Sequence, residues 1–128
     1  MVQIVCSTVS NELACDAIGG FGASYTNAHW TVICQGSSGR CYFHNQFNYL
    51  SMKNGEPMII RSSSGENPPI EAAFIIRDVF GSSHAVYLES AQTLDYVLSF
   101  DTTGYPLMKR RFRINDRFAQ FEIKFVRR

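Results

Sequence analysis

The segment Ala72-Ala73-Phe74-Ile75-Ile76-Arg77 occurs three times in this chain in slightly altered form. It returns 47 residues later as Ala119-Gln120-Phe121-Glu122-Ile123-Lys124, and it stands 44 residues earlier as Ala28-His29-Trp30-Thr31-Val32-Ile33. All three copies share the pattern Ala-x-aromatic-x-(Ile/Val). A repeat of this length indicates that one supersecondary unit has been copied along the chain.

Two further phrases repeat with similar spacing. Leu50-Ser51-Met52 returns as Leu98-Ser99-Phe100, and Gly36-Ser37-Ser38 returns as Gly81-Ser82-Ser83. The repeats therefore span about residues 1–36, 37–81 and 82–128 of a 128-residue chain. Three copies in so short a chain leave no room for a long solenoid, so we expect them to close on themselves as a single domain.

Each repeat reads as four short strands, because apolar and polar residues alternate with a period of two. The predicted strands, in chain order, are Val2–Cys6, Glu12–Asp16, Gly20–Ser24, Ala28–Cys34, Arg40–His44, Asn48–Lys53, Pro57–Arg61, Ala72–Val79, Ala85–Glu89, Tyr96–Asp101, Pro106–Arg111 and Phe118–Val126. Twelve strands in three units of four predict a β-trefoil, an all-β fold with pseudo-threefold symmetry. Six strands should close a small barrel, three hairpins should cap one end of it, and the chain ends should meet.

The charge of the chain is unevenly distributed. Its formal net charge is only +1, but no Lys or Arg precedes Arg40, and eight of the twelve basic residues lie in the last 20 positions. This gradient predicts an anionic partner for the third repeat. No stretch is apolar and long enough to span a bilayer, and residues 1–6 lack the features of a signal peptide. The sequence therefore predicts a cytoplasmic or leaderless secreted protein without membrane insertion.

The repeats predict inward positions for three of the four cysteines. Cys15 aligns with Met52, Cys41 aligns with Val86, and Cys34 should point to the same side as Trp30. Such residues are typical of buried thiols that pack as small hydrophobic groups. The pattern predicts reduced cysteines, and the absence of a CxxC pair argues against a metal site.

Catalytic and cofactor motifs are absent from the sequence. It contains no GxSxG, HExxH, Walker or GxGxxG pattern, and His29, His44 and His84 lie at dissimilar places in their repeats. The sequence predicts a protein that is not an enzyme and that needs no cofactor, metal or nucleic acid. A rigid barrel that displays loops suits binding, so we expect a ligand on its surface.

The first repeat resembles the ricin-B-like lectins of the β-trefoil superfamily. Its segment 13–20 resembles the lectin segment in which an Asp ends the second strand, and Asn27-Ala28-His29-Trp30 resembles the Asn-Gln-x-Trp segment. The resemblance implies that Asp16 and Asn27 hold sugar hydroxyls while Phe21 or Tyr25 stacks on the sugar ring. Glycans or glycoproteins would then be the partners.

The first repeat also departs from the lectin pattern. The lectin Gln is Ala in all three repeats, and Lys53 stands in the second repeat where Asp16 stands in the first. The third repeat keeps Asp101 but has Phe118 in place of Asn27. The resemblance therefore implies one sugar site at most. The alternative is that Asp16 and Asp101 are turn residues beside glycine.

The second half of the chain resembles the fibroblast growth factor and interleukin-1 cytokines. Residues 49–55 look like the growth-factor hairpin Tyr-Leu-x-Met-x-x-x-Gly, and Tyr96-Val97-Leu98 begins a stretch that looks like its last hairpin. The heparin-binding surface of that family lies between the last hairpin and the final strand. The basic residues in that stretch here are Lys109, Arg110, Arg111, Arg113 and Arg117. The resemblance implies a sulfated glycosaminoglycan or a receptor as partner.

Three alternatives stay open. The same arginines also fit fascin-like trefoils that bind actin, and residues 62–69 form a proline-stiffened loop such as trefoil protease inhibitors present. Residues 109–113 also fit an ordinary edge strand, with Lys109, Arg111 and Arg113 pointing outward and Phe112 pointing inward. A homodimer is compatible with any of these readings.

Overall fold

The structure is a computed structural model that describes residues 1–6, 14–16, 21–22, 28–61 and 67–126. These residues contain ten strands and two 3₁₀ turns. The strands are β1 (Val2–Cys6), β2 (Ala14–Cys15), β3 (Phe21–Gly22), β4 (Thr31–Gln35), β5 (Arg40–Asn45), β6 (Asn48–Lys53), β7 (Glu56–Arg61), β8 (Phe74–Asp78), β9 (Ala85–Ser90) and β10 (Phe121–Phe125). The 3₁₀ turns are Ile70–Ala72 and Arg117–Ala119.

Six strands close a ring. Antiparallel pairing runs from β1 to β10, β9, β8, β5 and β4. Just before β4, Val2 and Trp30 exchange two backbone hydrogen bonds of 2.8 Å, which returns the ring to β1. The backbone N–H of Val126 donates to the carbonyl oxygen of Met1 at 2.9 Å, so the predicted meeting of the chain ends is confirmed. Closure satisfies the strand edges that an open sheet would expose.

The repeated aromatic residue fills the centre of the ring. Trp30, Phe74 and Phe121 each have 0% of their surface exposed, and Val32 and Ile76 pack against the same core. The aromatic residue and the Ile or Val two positions later therefore face the core together, as the period-two alternation of the predicted strands implies. The repeated pattern thus buries one large aromatic side chain from every repeat, and this burial contributes to the hydrophobic stabilisation of the core.

The fourth strands begin later than predicted. In the second repeat a 3₁₀ turn occupies Ile70–Ala72 and β8 starts at Phe74, while in the third repeat the turn occupies Arg117–Ala119 and β10 starts at Phe121. The conserved spacing of Ala before the aromatic residue marks this turn, because Ala72 and Ala119 are both fully buried where the chain enters the barrel.

The hairpin of the third repeat is not the predicted pair of strands. The second repeat pairs β6 with β7 through six residue pairs. The third repeat has only isolated bridges, which join Tyr96 to Arg111 and Phe100 to Pro106. The predicted strands Tyr96–Asp101 and Pro106–Arg111 are therefore wrong as continuous strands, because left-handed backbone at Lys109, between the two bridges, interrupts their ladder.

The prediction of reduced cysteines is wrong for two of the four. Cys34 and Cys41 form a disulfide between directly opposed residues of β4 and β5. Cys34 is exposed rather than turned into the core, because β4 extends past the packed interior before the chain turns at residues 36–39. Cys15 is buried and lies outside the disulfide, as predicted.

Candidate functional site

The basic residues of the third repeat lie on a segment, residues 109–117, that its neighbours hold by backbone hydrogen bonds. The N–H of Val97 donates to the carbonyl oxygen of Arg110 at 2.9 Å, and the N–H of Phe112 donates to that of Asp95 at 2.7 Å. Phe112 also packs edge-on against Tyr87, with ring centroids 4.9 Å apart. The segment is thus anchored to the barrel although it forms no continuous strand.

The hairpin of the second repeat also anchors residue 109. The N–H of Lys109 donates to the carbonyl oxygen of Gly55 at 2.7 Å. Gly55 has a φ of +79°, and a Cβ atom there would lie 3.0 Å from the ring of Tyr96 and 3.2 Å from the Cα of Lys109. Only glycine allows both this backbone conformation and this approach. Repeats two and three therefore meet directly beside the basic residues.

A buried carboxylate orders the turn that precedes Tyr96. Glu89 is 5% exposed, and its Oε1 accepts from Nε of Arg77 at 2.5 Å. Its Oε2 accepts from the backbone N–H of Asp95 at 2.7 Å. Both oxygens have charged or backbone donors, which a buried carboxylate requires. Glu89 thus positions Asp95, which contacts the basic segment.

Arg110 is held by a second carboxylate. Its Nη2 lies 3.1 Å from Oδ2 of Asp116, whose side chain is only 6% exposed. Oδ1 of the same carboxylate accepts from the backbone N–H of Phe118 at 3.2 Å and so caps the turn Arg117–Ala119. Because Asp116 makes both contacts, it orients Arg110 and starts the turn that carries Arg117.

Arg111 is held more loosely. Its Nη1 lies 3.5 Å from Oδ2 of Asp95, and both side chains are more than half exposed. Its guanidinium also covers the ring of Tyr96, 5.1 Å from the centroid. An exposed ion pair of this kind contributes little to stability, so Arg111 can exchange Asp95 for another anion at low cost.

Two adjoining grooves run along the basic segment. The first groove, with a volume of about 230 Å³, is lined by Lys109, Arg110, Arg111 and Arg113. The second groove, of about 340 Å³, is lined by Arg110, Arg113, Ile114, Asn115, Asp116, Arg117 and Phe118. Arg110 and Arg113 border both grooves. Among the described residues, Lys109, Arg113 and Arg117 have no carboxylate partner.

The five predicted cations therefore lie on one segment, and the outward directions expected for Lys109, Arg111 and Arg113 agree with the exposure of these side chains. Lys109, Arg111 and Arg113 are exposed, while Arg110 and Phe112 alternate with them at half-buried positions. Sequence reasoning does not identify Asp95 or Asp116 as parts of the site. The position of Asp116 two residues before Phe118 is a capping signal, but it gives no indication that the carboxylate also holds Arg110.

The residues predicted for a neutral sugar are described only in part. Asp16 directly follows β2, whereas the prediction made it the last residue of that strand, and it is 7% exposed. It borders a small cavity where the three repeats meet, together with Leu50, Pro57, Met58, Ile59, Phe100 and Pro106. Asn27 and Tyr25 lie outside the described residues, and so does the side chain of Phe21. The grouping of these four residues stays a prediction.

Asp101, the counterpart of Asp16 in the third repeat, is a turn residue. Its Oδ1 accepts from Oγ1 of Thr103 at 2.6 Å and from the backbone N–H groups of Thr103 and Tyr105 at 2.9 and 3.0 Å. The hydroxyl of Thr103, followed by the N–H of Tyr105, holds the pKa of Asp101 below its usual range. The alternative interpretation as a turn residue is thus correct for Asp101.

Other classes of site find no support in the described ranges. No group of three or more His, Cys, Asp or Glu side chains there is arranged to hold a metal ion. None of the helical turns in those ranges has the length and hydropathy that crossing a lipid bilayer requires. Of the predicted protease-binding loop, residues 62–66 lie outside the described part of the chain.

The fold and the grooves define a β-trefoil protein with a basic face on its third repeat. No family model matches the chain, and no curated protein sequence is similar to it. The structure is similar to that of the designed threefold-symmetric protein ThreeFoil, with a TM-score of 0.73, 12% identity and 98% coverage of each chain. It is also similar to SeviL bound to the asialo-GM1 saccharide, with a TM-score of 0.68, 13% identity and coverage of 95% and 94%. These likenesses show the fold and confirm its prediction.

Proposed function

We propose that this protein is a non-enzymatic glycan-binding protein whose basic segment binds an anionic glycan. The observation that carries the proposal is the pair of grooves that share Arg110 and Arg113. Three of the five cations around them have no carboxylate partner among the described residues. The similarity to SeviL, a trefoil solved with a saccharide, supports a sugar as the scaffold of the ligand.

Sulfate groups suit these cations chemically. A guanidinium donates two parallel hydrogen bonds to an oxyanion, and such charge-assisted bonds are stronger than neutral ones. Arg110 is preorganised by Asp116, and Arg111 loses only an exposed ion pair when it turns to a ligand. Binding energy is therefore available without unfolding any part of the segment.

A glycan array at physiological salt tests the proposal. We expect hits among sulfated glycosaminoglycans, and we expect the variant K109Q/R113Q to lose them, since these exposed side chains have no structural carboxylate partner. Hits that survive in K109Q/R113Q would contradict this site. A blank array would overturn glycan binding, and receptors, proteases and actin would then be the partners to screen.

A neutral sugar at the first repeat is the second candidate. The indole Nε1 of Trp30 donates to the carbonyl oxygen of Cys15 at 3.0 Å. This bond ties the residue before Asp16 to the residue that stands three positions after Asn27. In this proposal Asp16 and Asn27 hold hydroxyls and Phe21 or Tyr25 stacks on the ring.

The variant D16N tests that candidate, with D101N as its matched control. The substitution removes one charge at each position, and Asp101 is a turn residue without a predicted role. We expect D16N to abolish neutral-sugar hits on the array and D101N to keep them, with both proteins folded by circular dichroism. Equal binding by D16N and D101N would remove Asp16 from the site.

A further inference from the structure

The two grooves of the basic segment differ in their linings. Each has cations that the other lacks: Lys109 and Arg111 belong to the first groove alone, and Arg117 belongs to the second. Arg110 and Arg113 form the wall between them. A single anion can contact the cations of one groove, but it leaves either Lys109 of the first groove or Arg117 of the second without an anionic partner among the described residues. The division of charge suits two separate anionic groups.

From this division we propose that the basic segment binds a sulfated disaccharide, with one sulfate in each groove. The inference rests on the proposed function, because it names the ligand class of the same site. Arg110 and Arg113 would contact both sulfates from the shared wall, since each residue borders both grooves. The sugar ring between the sulfates would cross that wall.

The second groove also has groups that suit a sugar rather than a bare anion. Ile114 is 77% exposed and offers an apolar surface to the C–H groups of a ring. Asn115, held at a φ of +64°, offers both a donor and an acceptor for hydroxyl groups. The first groove is lined by cations alone. The second groove therefore takes its sulfate together with part of the sugar.

The aromatic rings of the site disfavour a single-stranded nucleic acid. Such ligands stack their bases on open aromatic faces. Here the ring of Phe118 is covered by the guanidiniums of Arg110 and Arg117, whose central carbons lie 5.8 and 5.2 Å from its centroid. The ring of Tyr96 is covered by Arg111 in the same way. These cation–π contacts also hold the guanidiniums in place for oxyanions.

Calorimetric titration with three disaccharides of one backbone tests the inference. They carry no sulfate, one sulfate or two sulfates, and a disaccharide bisphosphate serves as a fourth ligand. We expect the second sulfate to raise the affinity about tenfold or more, which corresponds to roughly 1.4 kcal/mol. We expect R117Q to remove most of that gain, so that it weakens binding of the disulfate more than binding of the monosulfate. The control R61Q, which alters an exposed cation of the second repeat, should change neither.

Each outcome has a distinct meaning. Equal affinity for one and two sulfates, or an equal loss for both ligands in R117Q, would overturn the two-groove inference and leave the proposed function standing. Equal affinity for bisphosphate and disulfate would show paired-anion recognition without preference for sulfate and would also overturn it. Failure of every sulfated ligand to bind better than the unsulfated one would overturn the proposed function itself.

Discussion

The second and third repeats have the same core and different surfaces. Phe74 and Phe121 occupy equivalent buried positions, and each begins the strand that follows a 3₁₀ turn. The hairpins that precede these residues differ, because six residue pairs join β6 to β7 before Phe74 while only isolated bridges join the strand segments before Phe121. The repeated positions thus serve folding, and the positions that break the repeat form the candidate site.

The break in the third repeat releases its backbone for other contacts. Lys109 and Asp95 have left-handed backbone, with φ of +53° and +79°, where a regular hairpin would continue. At Lys109 the backbone N–H donates to the carbonyl oxygen of Gly55, residues 110–112 then pair with residues 95–97, and the chain turns at Asn115, also left-handed at +64°. A straight edge strand would have spread its cations along one line. The irregular path instead gathers them around two grooves.

The largest effect that the comparison predicts is in the shared core. Phe74→Ala and Phe121→Ala should each reduce the free energy of unfolding by about 3–5 kcal/mol, because each removes a fully buried ring. Chemical denaturation measures both, with the almost fully exposed Phe80→Ala as a control that should change little. A loss of less than about 1 kcal/mol in the free energy of unfolding at either core position would contradict the equivalence of the two repeats.

The disulfide marks a difference between equivalent strand pairs. Cys34 opposes Cys41 at the position where Asp78 opposes Val86 one repeat later. Reduction of a bond with a sequence separation of 7 should cost about 2–3 kcal/mol in the chain-entropy account. Urea denaturation with and without reductant measures this cost. The variant C34A/C41A should have the same stability in both conditions. An identical midpoint for the oxidised and reduced wild-type protein would contradict the assignment.

The two 3₁₀ turns should respond differently at their first position. Asp116 caps its turn through its side chain, whereas Pro69 makes no such bond. Asp116→Ala should cost about 1–2 kcal/mol, since it also leaves Arg110 without its carboxylate. Asp116→Asn should cost less, because asparagine caps well, and Pro69→Ala should stay within about 0.5 kcal/mol. Equal costs for Asp116→Ala and Pro69→Ala in denaturation would contradict the role given to Asp116.

The smallest predicted effect is a difference between the two hairpin turns in how their contributions to stability depend on pH. The turn of the second repeat uses Asn54 and Gly55, and that of the third uses Asp101, whose pKa is lowered in the folded state. Its contribution is therefore present above the usual Asp pKa of about 4 and is lost as the pH falls through the lowered value. The stability difference between wild type and D101N should be constant from pH 5 to 8 and shrink below pH 4. A difference that grows on acidification would contradict the direction of this shift.

The fold was predictable because the repeated pattern places one aromatic residue per repeat in the core. The positions at which individual strands leave the packed core were not predictable, as Cys34 illustrates. Cys34 lies an even number of residues after Trp30, so strand alternation places both side chains on the same face. The strand runs beyond the packed interior at Cys34, however, so its side chain is exposed on that face. The cations of the site were predictable from their concentration in sequence. The carboxylates that pair with two of these cations, Asp95 and Asp116, were not predictable, because their contacts arise only from the folded path.

The central claim is that cations in the third repeat, and not positive charge in general, bind an anionic glycan. Two double variants remove the same charge from exposed positions: K109Q/R113Q in the third repeat and K53Q/R61Q in the second. We would measure the affinity of both and of wild type for heparin between low and physiological salt, where screening separates specific contacts from long-range attraction. We expect K109Q/R113Q to bind at least about tenfold more weakly with a shallower salt dependence, and K53Q/R61Q to match wild type. Equal losses in the two variants, or none in either, would contradict the claim.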